Sequence, residues 1–187
     1  MSRIVLASAS PRRRQLLAEH GYEFTVAPAD VDEIAPAHFT PREVVLWNAR
    51  IKAHAVAGEM PGEIVLGVDT LVAYEGRILG KPRDMQEAFA MIRELNGQSH
   101  DVFSGVCLVR LAERKERTFS ERTRVHFRRL SDAALRAYLT RIGPLDKAGA
   151  YAAQDDRGEL IEHFEGSFTN VIGLPMEGLI TALAGFA

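Results

Sequence analysis

Short apolar runs alternate with longer amphipathic segments along this 187-residue chain, a pattern that predicts strands alternating with helices. The run at 64–68 is apolar throughout, which is typical of a strand covered on both faces of a sheet. Strands are predicted at residues 4–7, 24–27, 64–68, 101–111, 117–128 and 160–164, and residues 71–74 are a candidate continuation of the third strand. Helices are predicted at 11–20, 41–58, 84–95, 131–140 and, closing the chain, 170–186. The pattern as a whole predicts an α/β fold with a mixed sheet.

The first predicted helix begins with a concentration of positive charge. Ser10 is placed to cap this helix, and Pro11 suits its first position, where a missing N–H group costs nothing. Arg12, Arg13 and Arg14 fill the first turn, although the helix dipole favours acidic residues there. Unpaired N–H groups together with guanidinium groups suit an anion. The segment fits both a phosphate site and a solvated basic helix start.

Composition limits the class of protein. The chain is 47% hydrophobic and 26% charged, with a formal net charge of −2, which is typical of a folded chain without disordered segments. We therefore expect a single domain spanning 1–187. A chain so close to neutral lacks the broad basic surface of a sequence-independent nucleic-acid binder, so no stable nucleic-acid partner is expected.

The cysteine content and the hydropathy argue against an exported or membrane protein. Cys107 is the only cysteine, so no internal disulfide can form. No apolar run reaches the length of a membrane span, and no signal-peptide pattern precedes the first strand. From these features we expect a soluble, cytoplasmic protein that does not bind membranes.

Polar residues of complementary chemistry lie at the ends of apolar elements in four places. They are the Ser/Arg turn at 8–14, the acidic loop at 30–33, Asp69-Thr70 at the end of a strand, and Gly80-Lys81-Pro82. Lys52 follows Asn48 by four residues, so both lie on one helix face. Carboxylates for a hard cation beside cations for phosphate are what phosphoryl transfer needs. Each piece alone also fits a turn or a solvent-facing residue, and periodicity does not show whether they converge.

Other candidate chemistry is weaker. The six histidines have no metal-ligand spacing, and His126 lies in an alternating strand, so they are interpreted as surface or packing residues. No nucleophile elbow, Walker loop or dinucleotide glycine fingerprint is present. Ser104-Gly105 within a strand pattern indicates a bulge or a close backbone approach. The unpatterned loop at 146–151 is a candidate binding loop.

Taken together, the motifs of this chain resemble those of the Maf family of nucleoside triphosphate pyrophosphatases. The matching segments, in order, are 6–13, 31–33, 48–53, 67–70, 80–82, 104–106, 144–151 and 173–175. They run from the first predicted strand to the last predicted helix. So many ordered motifs in one chain make the resemblance specific.

The resemblance implies hydrolysis of a nucleotide between its α and β phosphates, with a divalent cation, Mg²⁺ or Mn²⁺. It implies an elongated mixed sheet in two lobes flanked by helices, with a central cleft, as in the inosine-triphosphatase type of fold. A homodimer is possible on the same basis. Carried over residue by residue, the catalytic set is Asp69, Lys52 and Lys81, with Asp69 as proton acceptor, and the metal ligands are Glu33 and Asp69. The substrate-binding set is Ser8, Ser10, Arg12, Arg13, Thr70 and Gln154.

Three positions near the base distinguish subgroups of that family. This chain carries Arg12, Thr70 and Gln154, which is similar to the type that acts on dTTP and UTP, whereas the 7-methyl-GTP type has Trp, Gln and Glu. The chain departs from the family at Asp155-Asp156, where a glycine-rich turn is usual. The expected role is house-cleaning of nucleotide pools, including modified pyrimidine nucleotides. A nucleotide- or nucleic-acid-binding regulator of cell division or septum formation is the alternative.

Overall fold

The computed structural model describes residues 4–186 and has the predicted mixed α/β architecture. The strands are β1 (Ile4–Leu6), β2 (Phe24–Val26), β3 (Ile64–Tyr74), β4 (Arg77–Leu79), β5 (Ser99–Arg110), β6 (Lys115–Phe127) and β7 (Ile161–Glu165). The helices are α1 (Pro11–Glu19), α2 (Pro41–Glu59), α3 (Met85–Leu95), α4 (Asp132–Ile142), α5 (Phe168–Val171) and α6 (Met176–Ala184). Residues 1–3 and 187 of the predicted single domain lie outside the described residues, and that domain stays a prediction.

The strands form one mixed sheet in the order β2-β1-β3-β5-β6-β7, with β4 paired to β3. Strand β1 is parallel to both β2 and β3, so that Leu6 lies opposite Val26 and Leu66. Strands β4 and β7 are antiparallel to β3 and β6, respectively. This confirms the prediction of a mixed sheet flanked by helices.

The chain divides into two compact units. The first contains residues 4–70, 103–121 and 169–186, and the second contains Leu71–Val102 and Arg122–Phe168. Strands β3, β5 and β6 contribute residues to both units.

In the first unit, helix α2 covers the buried face of β1, β3 and β5. A capping box starts this helix: Thr40 accepts from the backbone N–H of Glu43, and the Glu43 carboxylate accepts from Thr40. The helix contributes small residues to a core shared with the strands, which comprises Val5, Ala7, Ala49, Ala53, Val56, Ala57, Val65, Cys107 and Val109. Burial raises the pKa of the Cys107 thiol to about 12, so this cysteine is an inert core residue.

Two glycines of the sheet set how closely α2 approaches. A Cβ at Gly67 would lie 2.1 Å from the backbone oxygen of Ala49, and a Cβ at Gly105 would lie 2.3 Å from that of Val45. Neither contact is sterically possible, so only glycine allows the helix backbone to lie against the strands. The close backbone approach predicted at Gly105 is confirmed, and Gly67 has the same role on β3.

In the second unit, Asn96 links the end of α3 to the segment that precedes α4. Asn96 exchanges two hydrogen bonds with the backbone of Leu130, at 2.8 and 2.9 Å. In the same unit, the rings of His100, Phe127 and Tyr151 meet edge to face in the buried interior. The segment between α4 and β7, predicted as an irregular loop, folds into three short 3₁₀ turns at Pro144–Asp146, Ala148–Ala150 and Ala153–Asp155.

The structure differs from the predicted elements mainly where an element is short or interrupted. Strand β4 is too short to produce an alternating pattern, and the sequence does not predict it. The predicted closing helix divides into α5 and α6, because Gly173 adopts φ +114° and Pro175 precedes α6. Within residues 4–186, no helix combines the length and the apolar character that crossing a membrane requires.

Candidate active site

The guanidinium group of Arg13 joins three segments of the first unit. Its Nη1 donates to Ser8 Oγ (2.9 Å), its Nη2 to Thr70 Oγ1 (3.2 Å) and its Nε to the Gly173 carbonyl (2.9 Å). Ser8 follows β1 and Thr70 lies in β3, which is parallel to β1, so the two hydroxyls lie toward the same end of the sheet. The predicted convergence of the Ser/Arg turn with the end of the apolar run is therefore present.

Hydroxyl groups continue this network across the sheet. Thr70 Oγ1 lies 2.9 Å from Ser104 Oγ on β5 and donates to the Gly173 carbonyl at 3.3 Å. Ser104 in turn donates to the backbone oxygen of Asn170. Ser104 is fully buried, and sequence analysis named it only as part of a glycine motif. Thr70 Oγ1 is thus held by three neighbours, Arg13, Ser104 and Gly173.

Asp69, Lys52 and Glu33 form the charged centre of the site. Lys52 Nζ lies 2.7 Å from Asp69 Oδ1 and 2.6 Å from Glu33 Oε1, and it also donates to the Val68 carbonyl. The Lys52 and Asp69 side chains are 11% and 8% exposed, whereas that of Glu33 is 60% exposed. One ammonium group therefore binds a buried carboxylate and a carboxylate that faces solvent.

Asn48 occupies the α2 position one turn before Lys52. Its amide nitrogen donates to Asp69 Oδ2 (3.2 Å) and to the Ile34 carbonyl (3.1 Å), while its Oδ1 accepts from the Ile34 N–H (2.9 Å). The side chain thus ties the acidic loop to the strand that carries Asp69. The helix spacing places Asn48 beside Lys52, but no sequence signal assigns it this clamp.

Asp69 precedes Thr70 in β3, so the charged centre lies next to the residue that Arg13 binds. Burial lowers the pKa of Arg13 to about 10, while the negative charges of Asp69 and Glu33 oppose that shift. The guanidinium group therefore stays protonated at neutral pH. This group donates three hydrogen bonds to the protein. Arg13 therefore links three segments of the first unit, a role called the Arg13 strut below, and it also supplies positive charge.

The other predicted residues of the basic turn have different surroundings. Ser10 is at the N-cap position of α1, but its side chain makes no capping hydrogen bond; instead its N–H donates to Ser8 Oγ at 3.3 Å. Arg12 is half-buried, and its side chain makes no hydrogen bond or ion pair within residues 4–186. Arg14 is exposed. Within residues 4–186, Arg13 is the one arginine of this turn whose side chain is hydrogen-bonded to other parts of the protein.

Lys81 and Gln154 belong to the second unit. Both side chains are exposed, Lys81 in the segment after β4 and Gln154 in the last 3₁₀ turn before β7. The Gly80 carbonyl accepts from the N–H of Gly149, so the segment that carries Lys81 is tied to the candidate binding loop at 146–151. Their place relative to the triphosphate stays a prediction.

Of the two residues at which the chain departs from the family pattern, Asp155 is exposed and Asp156 is buried. Asp156 is 4% exposed, and its two carboxylate oxygens accept from the N–H groups of Leu160 and Ile161 at 2.9 and 3.1 Å. These two hydrogen bonds stabilise the turn that connects Gln154 to β7.

The carboxylates of Glu33 and Asp69 suit a hard divalent cation. Mg²⁺ is typically bound by one or two carboxylates together with phosphate oxygens of the substrate. Two carboxylates that meet at a single ammonium group provide that donor set, and Lys52 offsets part of their mutual repulsion. The residues present therefore fit the cation.

Comparison with known proteins identifies relatives along the full length of the chain. Residues 3–186 match the family described as Maf-like protein. A protein of Pelotomaculum thermopropionicum named dTTP/UTP pyrophosphatase is 45% identical over 186 residues, covering 100% of this chain and 97% of the relative. A Myxococcus xanthus protein of the same name is 49% identical over 180 residues, covering 96% and 90%.

A solved structure supports the fold independently of close sequence similarity. The Staphylococcus aureus Ham1 protein matches with a TM-score of 0.55 at 15% identity, covering 99% of this chain and 100% of the other. At this identity the likeness concerns the fold alone. It agrees with the expectation of an inosine-triphosphatase type of architecture.

Proposed function

This chain belongs to the Maf-like protein family, and we propose that it is a nucleoside triphosphate pyrophosphatase that converts dTTP and UTP to the monophosphate and pyrophosphate. The observation that carries the proposal is the Asp69–Lys52–Glu33 cluster beside the Arg13 strut. It combines carboxylates, which a pure phosphate binder does not need, with the cations that a triphosphate requires. The names of the full-length relatives support the same reaction.

In the proposed reaction, Asp69 is the general base. It takes a proton from water as the water oxygen bonds to phosphorus at the α–β anhydride. The bond from the attacked α-phosphorus to the bridging oxygen then breaks, and its electron pair leaves with pyrophosphate. Lys52 and Asn48 hold the two carboxylate oxygens of Asp69 from different sides, which fixes the orientation of the base. A bound divalent cation, held by Glu33 and Asp69, would supply charge neutralisation for the phosphate oxygens.

Positive charge and hydroxyl groups would hold the triphosphate. Arg12 makes no hydrogen bond or ion pair with any of residues 4–186, so its guanidinium donors can engage phosphate oxygens bidentately. Ser8 and Arg13 would contribute from the turn after β1, and Ser10 through its position at the start of α1. Lys81 would neutralise further phosphate charge, as the family resemblance implies.

The first test is product identification with the purified chain. Wild type, Asp69→Asn and Glu63→Gln are incubated with Mg²⁺ or Mn²⁺ and a panel of nucleoside triphosphates. We expect pyrophosphate and monophosphate from wild type, and a loss of most turnover in Asp69→Asn with the fold intact. Glu63 is an exposed acid just before β3, so its variant controls for the loss of a carboxylate. Release of orthophosphate and a diphosphate would contradict the bond assignment, and full activity of Asp69→Asn would exclude Asp69 as the base.

Base selection is proposed to depend on Arg12, Thr70 and Gln154. The amide of Gln154 can both donate to and accept from the edge of uracil or thymine, whereas a glutamate only accepts. Gln154→Glu should therefore lose the preference for pyrimidine triphosphates. Gln98→Glu adds the same charge at an exposed position of the second unit and should leave the preference unchanged. An unaltered preference in Gln154→Glu would remove this residue from base recognition.

We further propose that the chain acts in the cytoplasm, where nucleotide pools are maintained, and that it forms a homodimer. House-cleaning would extend to modified pyrimidine triphosphates. Sedimentation of the purified chain tests the homodimer directly. A regulator that only binds nucleotide or nucleic acid is less favoured, because the site contains the carboxylates of a hydrolase.

A further inference from the structure

Two histidines and a glutamate meet on the face of strands β6 and β7. His126 and His163 are direct partners across the antiparallel ladder, and their rings stack with centroids 4.0 Å apart. Glu165 lies two residues beyond His163 and so shares its face of the strand. Its Oε1 is 3.0 Å from His126 Nε2. One ligand atom from each of the three residues lies within 4.8 Å of the other two.

The chemistry of this group is that of a borderline transition-metal cation. Zn²⁺ takes imidazole nitrogen and carboxylate oxygen at about 2.0–2.2 Å, and two histidines with one glutamate form a known type of three-ligand zinc set. Mg²⁺ prefers oxygen ligands, so it would not select two imidazoles. A shared ion requires the stacked rings to tilt toward a common point. His163 and Glu165 are exposed, and this leaves their side chains room to move.

A positive charge faces this group, that of Arg124, which is paired with Asp101 and also attracts Glu165. Arg124 is the ladder partner of Glu165, but both of its guanidinium contacts go to the Asp101 carboxylate, at 3.1 and 3.2 Å. The His126 Nδ1 atom is 2.7 Å from Ser99 Oγ. A metal-ligating histidine usually makes a hydrogen bond through its other ring nitrogen, and Ser99 is placed to provide it.

We propose that His126, His163 and Glu165 form a binding site for Zn²⁺ or a similar transition-metal cation. The ion would join β7 to β6 immediately after the turn that carries Gln154. All three ligands belong to the second unit, whereas Glu33 and Asp69 belong to the first. The site is therefore separate in the chain from the carboxylates proposed for the catalytic cation.

The test is calorimetric titration of the full-length chain with ZnCl₂. It is carried out in the Asp69→Asn background, which removes a proposed catalytic ligand and makes the result independent of the proposed function. His126→Gln and His163→Gln each remove one imidazole. His54→Gln is the matched control, because His54 also contacts a glutamate, Glu116 at 2.8 Å, but within residues 4–186 it belongs to no cluster of three ligands.

We expect His126→Gln and His163→Gln, the two ladder variants, each to lose one bound Zn²⁺ or to bind it at least about tenfold more weakly. Even changes in the outer shell of a metal site weaken metal binding by about 10–100-fold. His54→Gln should bind as the parent does. Zn²⁺ should also raise the Tm of the parent but not of His163→Gln. Equal affinities in the parent and both ladder variants would overturn the proposal, as would equal weakening in His54→Gln. If a ladder variant does not fold, Glu165→Gln replaces it under the same criteria.

Discussion

Asn48 donates a hydrogen bond from its amide nitrogen to Oδ2 of Asp69 at 3.2 Å, on the side of the carboxylate that Lys52 does not contact. The same nitrogen donates to the Ile34 carbonyl, and Asn48 Oδ1 accepts from the Ile34 N–H. A single buried side chain therefore fixes both the orientation of the proposed base and the position of the acidic loop that carries Glu33.

Asn48→Leu should lower kcat by about 100-fold with a smaller change in KM. The substitution keeps a similar volume but releases Asp69 Oδ2 and the backbone of Ile34, and a small misplacement of a catalytic group costs this much. Steady-state kinetics on dTTP and UTP measure the effect. We interpret Asn48 as a positioning residue, because it acts through Asp69 and the acidic loop.

Asn96→Leu is the matched control for that experiment. Asn96 makes the same two hydrogen bonds to a backbone segment, that of Leu130, but its side chain is hydrogen-bonded to no carboxylate among residues 4–186. Both variants should lose similar stability, roughly 1–3 kcal/mol. Only Asn48→Leu should lose turnover. Equal kinetics in the two variants would reduce Asn48 to a structural residue.

Gly67→Ala should separate α2 from the sheet and impair the site. The added Cβ would lie 2.1 Å from the Ala49 carbonyl oxygen and 2.7 Å from the Ala53 nitrogen, which are backbone atoms that cannot rotate away. Helix α2 must shift, and Lys52 moves with it. We expect a loss of roughly 1–3 kcal/mol in the free energy of unfolding together with reduced turnover.

Gly62→Ala provides the comparison for Gly67→Ala. It lies in the exposed turn before β3, and a Cβ there meets nothing within 4 Å. Its Tm and kcat should equal those of wild type. A Gly67→Ala protein with wild-type Tm and activity would show that the helix does not need its close approach.

Asp156→Ala should destabilise the turn that connects Gln154 to β7. It leaves the N–H groups of Leu160 and Ile161 without their charged acceptor in a buried position, at a cost of roughly 2–3 kcal/mol. For a chain of this size the Tm should fall by about 5–10 °C. Asp155→Ala, at the exposed neighbour, should change stability by less than about 0.5 kcal/mol. Similar Tm values for the two variants would contradict the assigned role of Asp156.

His100 should make folding stability depend on pH. Burial lowers its pKa from 6.5 to about 3, although the charge of Asp101 opposes the shift. In the unfolded chain His100 gains a proton near pH 6.5, whereas the folded chain resists it until about pH 3. The contribution of His100 to the free energy of unfolding is therefore fully present above pH 6.5 and is lost as the pH falls below that value. Between pH 7.5 and pH 5 the loss is about 2 kcal/mol.

Urea unfolding at those two pH values measures the effect. His100→Gln retains a polar partner for the Tyr151 hydroxyl but does not titrate, so it should lose about 2 kcal/mol less than wild type on acidification. A wild type and a variant with the same pH slope would exclude His100 as the titrating group.

Neighbouring residues alone were sufficient to predict most elements of this fold. The apolar run at 64–68 and its continuation to Tyr74 appear as the single strand β3, and Thr40-Pro41 with Glu43 starts α2 as predicted. Such signals depend on residues a few positions apart, so they can be recognised in the sequence without knowledge of the tertiary structure. Strand β4 is three residues long and depends on its pairing with β3, which leaves no local pattern to detect.

The histidines show the limit of spacing arguments. His126 and His163 are 37 positions apart in sequence, and only the register of β6 against β7 brings their rings together. Asp156 illustrates the same limit, since its departure from a family pattern says nothing of the two backbone groups that it binds.

The sequence by itself determined the elements, the motif residues and the family, because periodicity, capping and ordered motifs are properties of the linear chain. Only the tertiary structure decided that Lys52 meets both Asp69 and Glu33, that Arg13 serves as a strut, and that Asn48 binds the base. Those contacts depend on which strands pair and on how closely α2 lies against Gly67. Packing of the whole chain sets both, and no short stretch of residues contains that information.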